Sequence, residues 1–215
     1  MDRKRELCAF LGNAAHATGH GKDGLYYREE LQFERVVNQT NPEYRSVGSR
    51  NSYKMSDKPV LFRKNSIKHG QVRFLAASYH GRGPLQLSWG YNYGDYSKFL
   101  YNDPQVLLEN PDQLLDKPEV GIGAAIWFWM TQPDWRPEYI PHKMMYKPED
   151  GNSWGFGHTI MAISGGLEYD AKENGKGNRD VLVTRRIDYY RRCAAHFKIS
   201  VGKNGEKMDT SGLLR

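Results

Sequence analysis

The chain has 215 residues, with 31 Lys and Arg against 25 Asp and Glu, giving a formal net charge of +6. That length suits one domain or two small lobes around a substantial core, and the ordinary charged and apolar fractions, 26% and 39%, exclude a disordered chain. The basic residues are scattered, with Arg185, Arg186, Arg191 and Arg192 the tightest group, so no nucleic-acid partner is expected. No membrane span is expected either, because the longest apolar run, Ile122 to Met130, falls far short of a bilayer.

Met-Asp-Arg-Lys-Arg-Glu opens the chain without the apolar stretch of a secretory signal, which does not decide the native location. From Arg5 to about Thr18, Leu7, Phe10, Leu11, Ala14 and Ala15 follow a helical rhythm that Gly19 and Gly21 should end. Residues 24–38 predict a second, shorter helical or turn segment. From Gln39 to His69, Asn, Ser, Arg and Lys dominate with little periodicity, and a long surface excursion is expected.

In "YHGRGPLQLSWGYNYGDYSKF", Gly81, Gly83 and Pro84 rule out a regular helix. Gln86, Ser88, Asn92 and several aromatics crowd this irregular chain, a density that suits a ligand wall better than a core. Pro104, Pro111 and Pro118 then punctuate short segments. "EVGIGAAIWFWMT" predicts a helix that is apolar nearly all round and therefore runs through the core, its small residues letting neighbours approach. "WRPEYIPHKMMYKPEDG" predicts an exposed connection, and "FGHTIMAISGGLEYD" a helix stopped by Gly165 and Gly166. In the final helix Val183, Ile187, Tyr190, Ala194 and Phe197 form one stripe, followed by a polar tail. Strand signals are sparse, so the expected class is mainly helical.

Cleaving a glycosidic bond requires an acid for the leaving oxygen and a carboxylate that activates water or attacks the sugar. Glu29 and Glu30 follow the glycine break after the first helix, where a solvated surface is the simpler role. His16 and His20 stand four apart, but Gly19 interrupts the helix and no HExxH or cysteine pair accompanies them, so no metal site is expected. His16 is read instead as fixing a backbone group or a carboxylate. "HGRGP" and "GKGNRD" lack the Lys-Ser/Thr of a phosphate loop, and no cofactor is expected. Cys8 and Cys193 both lie in amphipathic segments and are read as two buried thiols rather than a disulfide.

Taken in order, "RKRELCAFLGNAAHATGH", "YYREE", "YHGRGPLQLSWGYNYG", "AIWFWMT" and "FGHTIMAISGGLEYD" with "RRIDYYRR" resemble the glycoside hydrolase family 19 chitinases across most of residues 3–193. The resemblance implies a single catalytic domain over 1–215, with 194–215 as a C-terminal extension. It also implies a bilobal, lysozyme-like helical fold with a deep substrate cleft. The implied activity is endo-acting, inverting hydrolysis of β-1,4 links between N-acetylglucosamine units by a secreted, monomeric enzyme whose partner is chitin.

The family's general acid sits in a His-Glu-Thr motif that corresponds to His16, Ala17 and Thr18, so Ala17 stands where the acid should be. The resemblance assigns the general base to Glu30, with Glu29 as the fallback, and the holding of the attacking water to Ser88. Glu168 and Arg186 match the pair that tunes the acid. His16, Gln86, Tyr91, Asn92 and Ser164 match substrate-contacting positions. Gln86 and Asn92 could instead stabilise their own loop, and Tyr91 and Tyr93 could be wall or core. Tyr26 and Tyr169 stand where plant relatives usually carry disulfide cysteines.

An alanine cannot donate a proton, so this chain is expected to be inactive or severely impaired while still binding sugar. An engineered Glu-to-Ala change or a natural, non-catalytic chitin-binding protein would both give this sequence. A peptidoglycan-acting endolysin is the remaining alternative.

Overall fold

The computed structural model describes residues 2–18, 61–64, 73–76, 79–132, 139–146, 155–169 and 179–201. Among them, helix dominates. In chain order the elements are α1 (Asp2–Ala17), β1 (Leu61–Lys64), β2 (Arg73–Ala76), α2 (Gly90–Tyr101), α3 (Gln105–Glu109) and α4 (Gln113–Asp116), then α5 (Pro118–Thr131), α6 (Pro141–Tyr146), α7 (Phe156–Tyr169) and α8 (Arg179–His196). They divide into two compact units: Met1–Leu25 with Ile126–Arg215, and Tyr26–Ala125.

In the first unit α1 and α8 run antiparallel along one seam. Asn13 meets Arg186, Gly12 meets Tyr190, Cys8 meets Cys193, and the Lys4 ammonium lies 5.9 Å from the Phe197 ring centre. Gly12 permits this approach, since a methyl group there would come within 3.1 Å of the Tyr190 backbone nitrogen. Tyr190, fully buried, stacks on Phe156 of α7 with centroids 4.4 Å apart. Glu6 ties α1 to two more elements: its Oε1 accepts from Trp129 Nε1 at 2.9 Å and lies 2.6 Å from His142 Nδ1. The helix ends where Thr18 turns back on Ala14, whose carbonyl accepts from the Thr18 backbone N–H at 3.0 Å and from its hydroxyl at 2.7 Å.

The second unit carries the antiparallel β1–β2 hairpin, registered Leu61 with Ala76 through Lys64 with Arg73. Its helical part packs around small residues. A Cβ at Gly121 would overlap the Leu114 carbonyl oxygen, and one at Gly123 would come within 2.5 Å of the Tyr96 hydroxyl. That hydroxyl donates to the Val120 carbonyl at 3.0 Å. Asn102 closes α2 in the left-handed conformation, with its N–H on the Lys98 carbonyl at 2.9 Å, the usual role of a residue just past a helix end. Pro118 sits at the first position of α5, where its missing N–H costs no hydrogen bond.

Four expectations change. Part of the irregular excursion, Leu61–Lys64, is a strand, too short for its alternation to register in the sequence. The connection after Trp135 contains α6, and Met144 within it is fully buried. Helix α7 passes through Gly165 and Gly166, because glycine in a helix costs about 1 kcal/mol and does not forbid it. Helix α5 buries Val120, Ala124, Trp127 and Trp129, yet Ile122, Ile126 and Met130 are 37%, 51% and 43% exposed, so its apolar circumference does not make it a core helix on every side. Residues 24–38 and 202–215 lie outside the described residues.

Candidate active site

The polar, aromatic stretch before α2 folds as a pinned turn in the second unit. Arg82 and Leu87 exchange backbone hydrogen bonds of 3.2 and 2.9 Å, closing a loop over Gly83–Gln86. Gly83 takes φ 76° and packs against the Gly121 carbonyl, where a Cβ would stand 3.2 Å away, so both its conformation and its neighbour call for glycine. Gln86 at φ 54° and Trp89 at φ 75° adopt the left-handed region with full side chains. Such residues cost on the order of 1–3 kcal/mol each and persist where surroundings over-determine them, most often at functional sites.

The side chains do that holding. Gln86 Nε2 donates to the Gly83 carbonyl at 2.8 Å, Ser88 Oγ to the Gln86 carbonyl at 2.9 Å, and Asn92 Nδ2 to the Ser88 carbonyl at 2.8 Å. The loop-stabilising role of Gln86 and Asn92 is therefore met. Because Ser88 spends its proton on Gln86, its oxygen is left to act toward any further partner as an acceptor.

Behind the turn lies a network that the sequence did not disclose. Arg82, 4% exposed, donates through Nε to Asp112 Oδ1 at 3.0 Å and lies with Nη2 2.8 Å from the same oxygen. Its Nη1 donates to the Tyr93 hydroxyl at 3.0 Å, while Tyr93 donates to the His80 carbonyl at 2.7 Å. Tyr93, fully buried, thus belongs to the core, whereas Tyr91 is half-buried. Tyr79 anchors the far side, its hydroxyl on the Leu108 carbonyl at 2.8 Å and its carbonyl accepting from Trp89 N–H at 2.7 Å. Burial pushes the Tyr79 phenol up to about 12, Arg82 opposing and Glu109 adding, so it remains a donor at neutral pH. Burial raises Tyr96 to about 12 as well, with Tyr101 adding.

The other group of predicted residues lies in the first unit, at the end of α1. Ala17 is the last helical residue and is half-buried, as is His16 beside it. Arg186, 4% exposed, reaches α1 one turn earlier: Nη1 donates to Asn13 Oδ1 at 3.0 Å and to the Asn13 carbonyl at 3.3 Å. Asn13 was not singled out by sequence reasoning. The available signal was an asparagine at an interior helix position, where its propensity is poor and its neighbours Ala9, Ala14 and Ala15 are apolar and buried.

Glu29 and Glu30 lie outside the described residues, as does Tyr26; Glu168, Ser164 and Tyr169 fall on α7 with their side chains outside them. Among the described residues no group of three or more His, Cys, Asp or Glu is placed to hold a metal ion. None of the described helices is long and apolar enough to cross a membrane. Cys8 and Cys193 are both free thiols, and burial first, then the hydrogen bond and charge of Cys193, push Cys8 up to about 12.

Comparison with known proteins gives the family of the chain. Chitinase 4 of Oryza sativa subsp. japonica is 32% identical over 203 residues, covering 94% of this chain and 53% of its own. An inactive chitinase-like protein 1 of Hevea brasiliensis is 32% identical over 217 residues, covering 94% and 58%. The chain thus spans 53% and 58% of the length of these two curated relatives. The crystal structure of chitinase C from Streptomyces griseus HUT6037 superposes with a TM-score of 0.59 at 28% identity, over 96% of this chain and 78% of that one. That likeness carries the expected lysozyme-like helical class. The pattern of the class I chitinases matches residues 1–207, further than the boundary near 193 expected from the motifs. The chain belongs to the class I chitinase family, glycoside hydrolase family 19.

Proposed function

We propose that this chain is the hydrolytic domain of an inverting, endo-acting chitinase that has lost its general acid. On this reading it holds β-1,4-linked N-acetylglucosamine oligomers without cutting them at an appreciable rate. It is taken as a single domain over 1–215, acting as a monomer outside the cell. The observation that carries the proposal is the pinned turn of residues 82–92, which retains Gln86, Ser88 and Asn92 in a strained, fully braced loop.

The chemistry assigned to that loop follows from where its protons point. The Ser88 hydroxyl donates to the Gln86 carbonyl, so a water bound at its oxygen must donate to it. The second hydrogen of that water goes to the carboxylate of Glu30, the assigned base. Both hydrogens then being engaged, a lone pair of the water is left for the anomeric carbon on the side opposite the leaving oxygen, which is inversion. The C–O bond to the departing sugar breaks as the new one forms, and the departing oxygen needs a proton. Ala17, at the assigned acid position, has none to give. Loss of a positioned acid costs about 10²–10⁴-fold, and a sugar alkoxide is a poor leaving group.

A second reading is supported by the Hevea relative, whose name calls it an inactive chitinase-like protein. On this reading the alanine of the present chain is natural and the domain works as a chitin-binding protein. Both readings predict binding of chitin oligomers by the chain as it stands, measurable by calorimetry. They part on Ala17→Glu. Release of soluble sugar from chitin oligomers by this variant supports a chitinase that lacks only its acid. Binding without any release supports the non-catalytic protein, and absence of binding overturns both.

A further inference from the structure

We propose that Asn13 is a positioning residue that holds the Arg186 guanidinium one turn before the end of α1, where the cation sets the proton affinity of an acid at position 17. This rests on the reading of position 17 given above, but the contacts that carry it belong to the first unit alone.

Asn13 is fully buried and joins three helices. Thr159 Oγ1 donates its one proton to the Phe156 carbonyl at 2.7 Å and can therefore only accept from Asn13, whose Nδ2 lies 3.0 Å away. The same Nδ2 donates to the Ala9 carbonyl at 3.0 Å. These two bonds decide which way the amide faces, and they turn Oδ1 toward Arg186 Nη1 at 3.0 Å. α7 thus orients the amide, and the amide holds α8's arginine against α1.

Arg186 Nη1 also donates to the Asn13 carbonyl at 3.3 Å. In an α-helix that carbonyl is the acceptor for the N–H four residues on, which is residue 17. Side chains on a helix lean back toward its N-terminus, so a glutamate at 17 would lie over the turn that holds the guanidinium. A fixed cation at that range lowers a carboxyl's pKa by about 1–3 units. An arginine without its two contacts to Asn13 is less closely fixed at this turn and would lower it less. Other titratable groups on the elements packed here are His16 beside it on α1, and His158, next to Thr159, on α7. On α8 Arg185 adjoins Arg186, and on α6 His142 is paired with Glu6 three turns back.

The test uses the full chain carrying Ala17→Glu with and without Asn13→Ser. Serine can satisfy itself on the Ala9 carbonyl, as Thr18 does on Ala14, but is too short to hold the guanidinium. The introduced carboxyl is titrated by NMR in protein labelled at the glutamate side-chain carbon, which needs no catalysis. Its pKa should be higher in the double variant by about one unit, and the alkaline limb of kcat/KM should move up with it. A purely structural role would lower Tm and leave this pKa unchanged, and an unchanged pKa overturns the proposal. If Asn13→Ser does not fold, Arg186→Lys in the Ala17→Glu background serves, since lysine keeps the charge but cannot make the paired contact to Asn13. The same upward shift is expected and the same absence of shift overturns it. Should the Ala17→Glu chain titrate as expected yet release no sugar, the hydrolase reading fails and the positioning role of Asn13 stands.

Discussion

The turn over residues 82–92 and the end of α1 are built by opposite means. The turn is local: Gln86, Ser88 and Asn92 bond to carbonyls two to four residues away, and glycine and proline dictate the path. The α1 corner is assembled from a distance, by Thr159 lying 146 residues from Asn13 and Arg186 lying 173 residues from it. The two also differ in what they retain. The turn keeps each assigned polar side chain, whereas the α1 corner keeps the cation that would tune an acid and has a methyl group at the assigned acid position. A wall stabilised by its own short-range bonds depends little on whether catalysis continues. A corner held by Asn13 and Arg186 likewise needs no carboxylate at 17 to stay folded, which is how Ala17 can stand there without collapse of its surroundings.

The largest effect expected from that contrast is on rate. Ala17→Glu should raise turnover of chitin oligomers by about 10²–10⁴-fold, read as reducing ends released over time. Adding Glu30→Gln to the reverted chain should remove most of the gain, because a glutamine cannot take the proton of the attacking water. A reverted chain that is indifferent to Glu30→Gln would mean that the base lies elsewhere, with Glu29 the next residue to change.

Next comes the brace behind the turn. Arg82→Ala leaves Asp112, 18% exposed, without the guanidinium 2.8 Å away and takes a donor from Tyr93. Breaking a buried pair costs about 3–5 kcal/mol, and the lower end is expected because Asp112 reaches water. Urea unfolding measures that loss, and calorimetry should show chitin-oligomer affinity falling with it, since the strained φ values at Gln86 and Trp89 lose part of their support. Unchanged affinity in a destabilised but folded protein would show that the turn holds its shape by local bonds alone.

That distinction also explains what could be read in advance. The turn was legible because Gly81, Gly83 and Pro84 forbid helix and the polar residues cluster within a few positions. The proline-punctuated segments before α5 followed for the same reason. The Arg82–Asp112 pair, 30 residues apart, left no mark in either stretch alone. Asn13 leaves little mark in the sequence because its partners lie on two other helices. Gly165 and Gly166 point by local propensity to a helix end, yet the helix continues through them, and Ile140 and Met144 anchor a connection by buried side chains that periodicity over six residues cannot reveal. The remaining members of the site came from ordered family motifs and from nothing that spacing alone supplied.

Smaller effects compare how tightly each unit is packed. Gly121→Ala places a Cβ on the Leu114 carbonyl, a backbone atom that cannot rotate away, and should cost about 1–3 kcal/mol in denaturant unfolding. Gly12→Ala meets the Tyr190 backbone at 3.1 Å, close enough to push α1 from α8 by a few tenths of an ångström, and should cost less. A larger loss for Gly12→Ala would place the less yielding contact in the α1–α8 seam rather than around α5.

Alkaline pH should separate the units most finely. In the folded chain Cys8 is raised from 9.0 to about 12, and Tyr79 and Tyr96 from 10.0 to about 12, so all three stay neutral where the unfolded chain has already released their protons. The unfolded state then binds fewer protons than the native one, and stability must fall as pH rises. The contribution is intact below 9.0, declines first through Cys8 in the first unit, and declines further above 10.0 through the two tyrosines in the second. Denaturant midpoints followed across this range should show the two onsets. Cys8→Ala should remove the earlier one, and Tyr79→Phe should soften the later one while sacrificing the bond to the Leu108 carbonyl. If Cys8→Ala leaves the first onset in place, the thiol is ionising in the folded chain near its ordinary value. The α1–α8 seam would then admit more water than the close approach of Gly12 to Tyr190 implies.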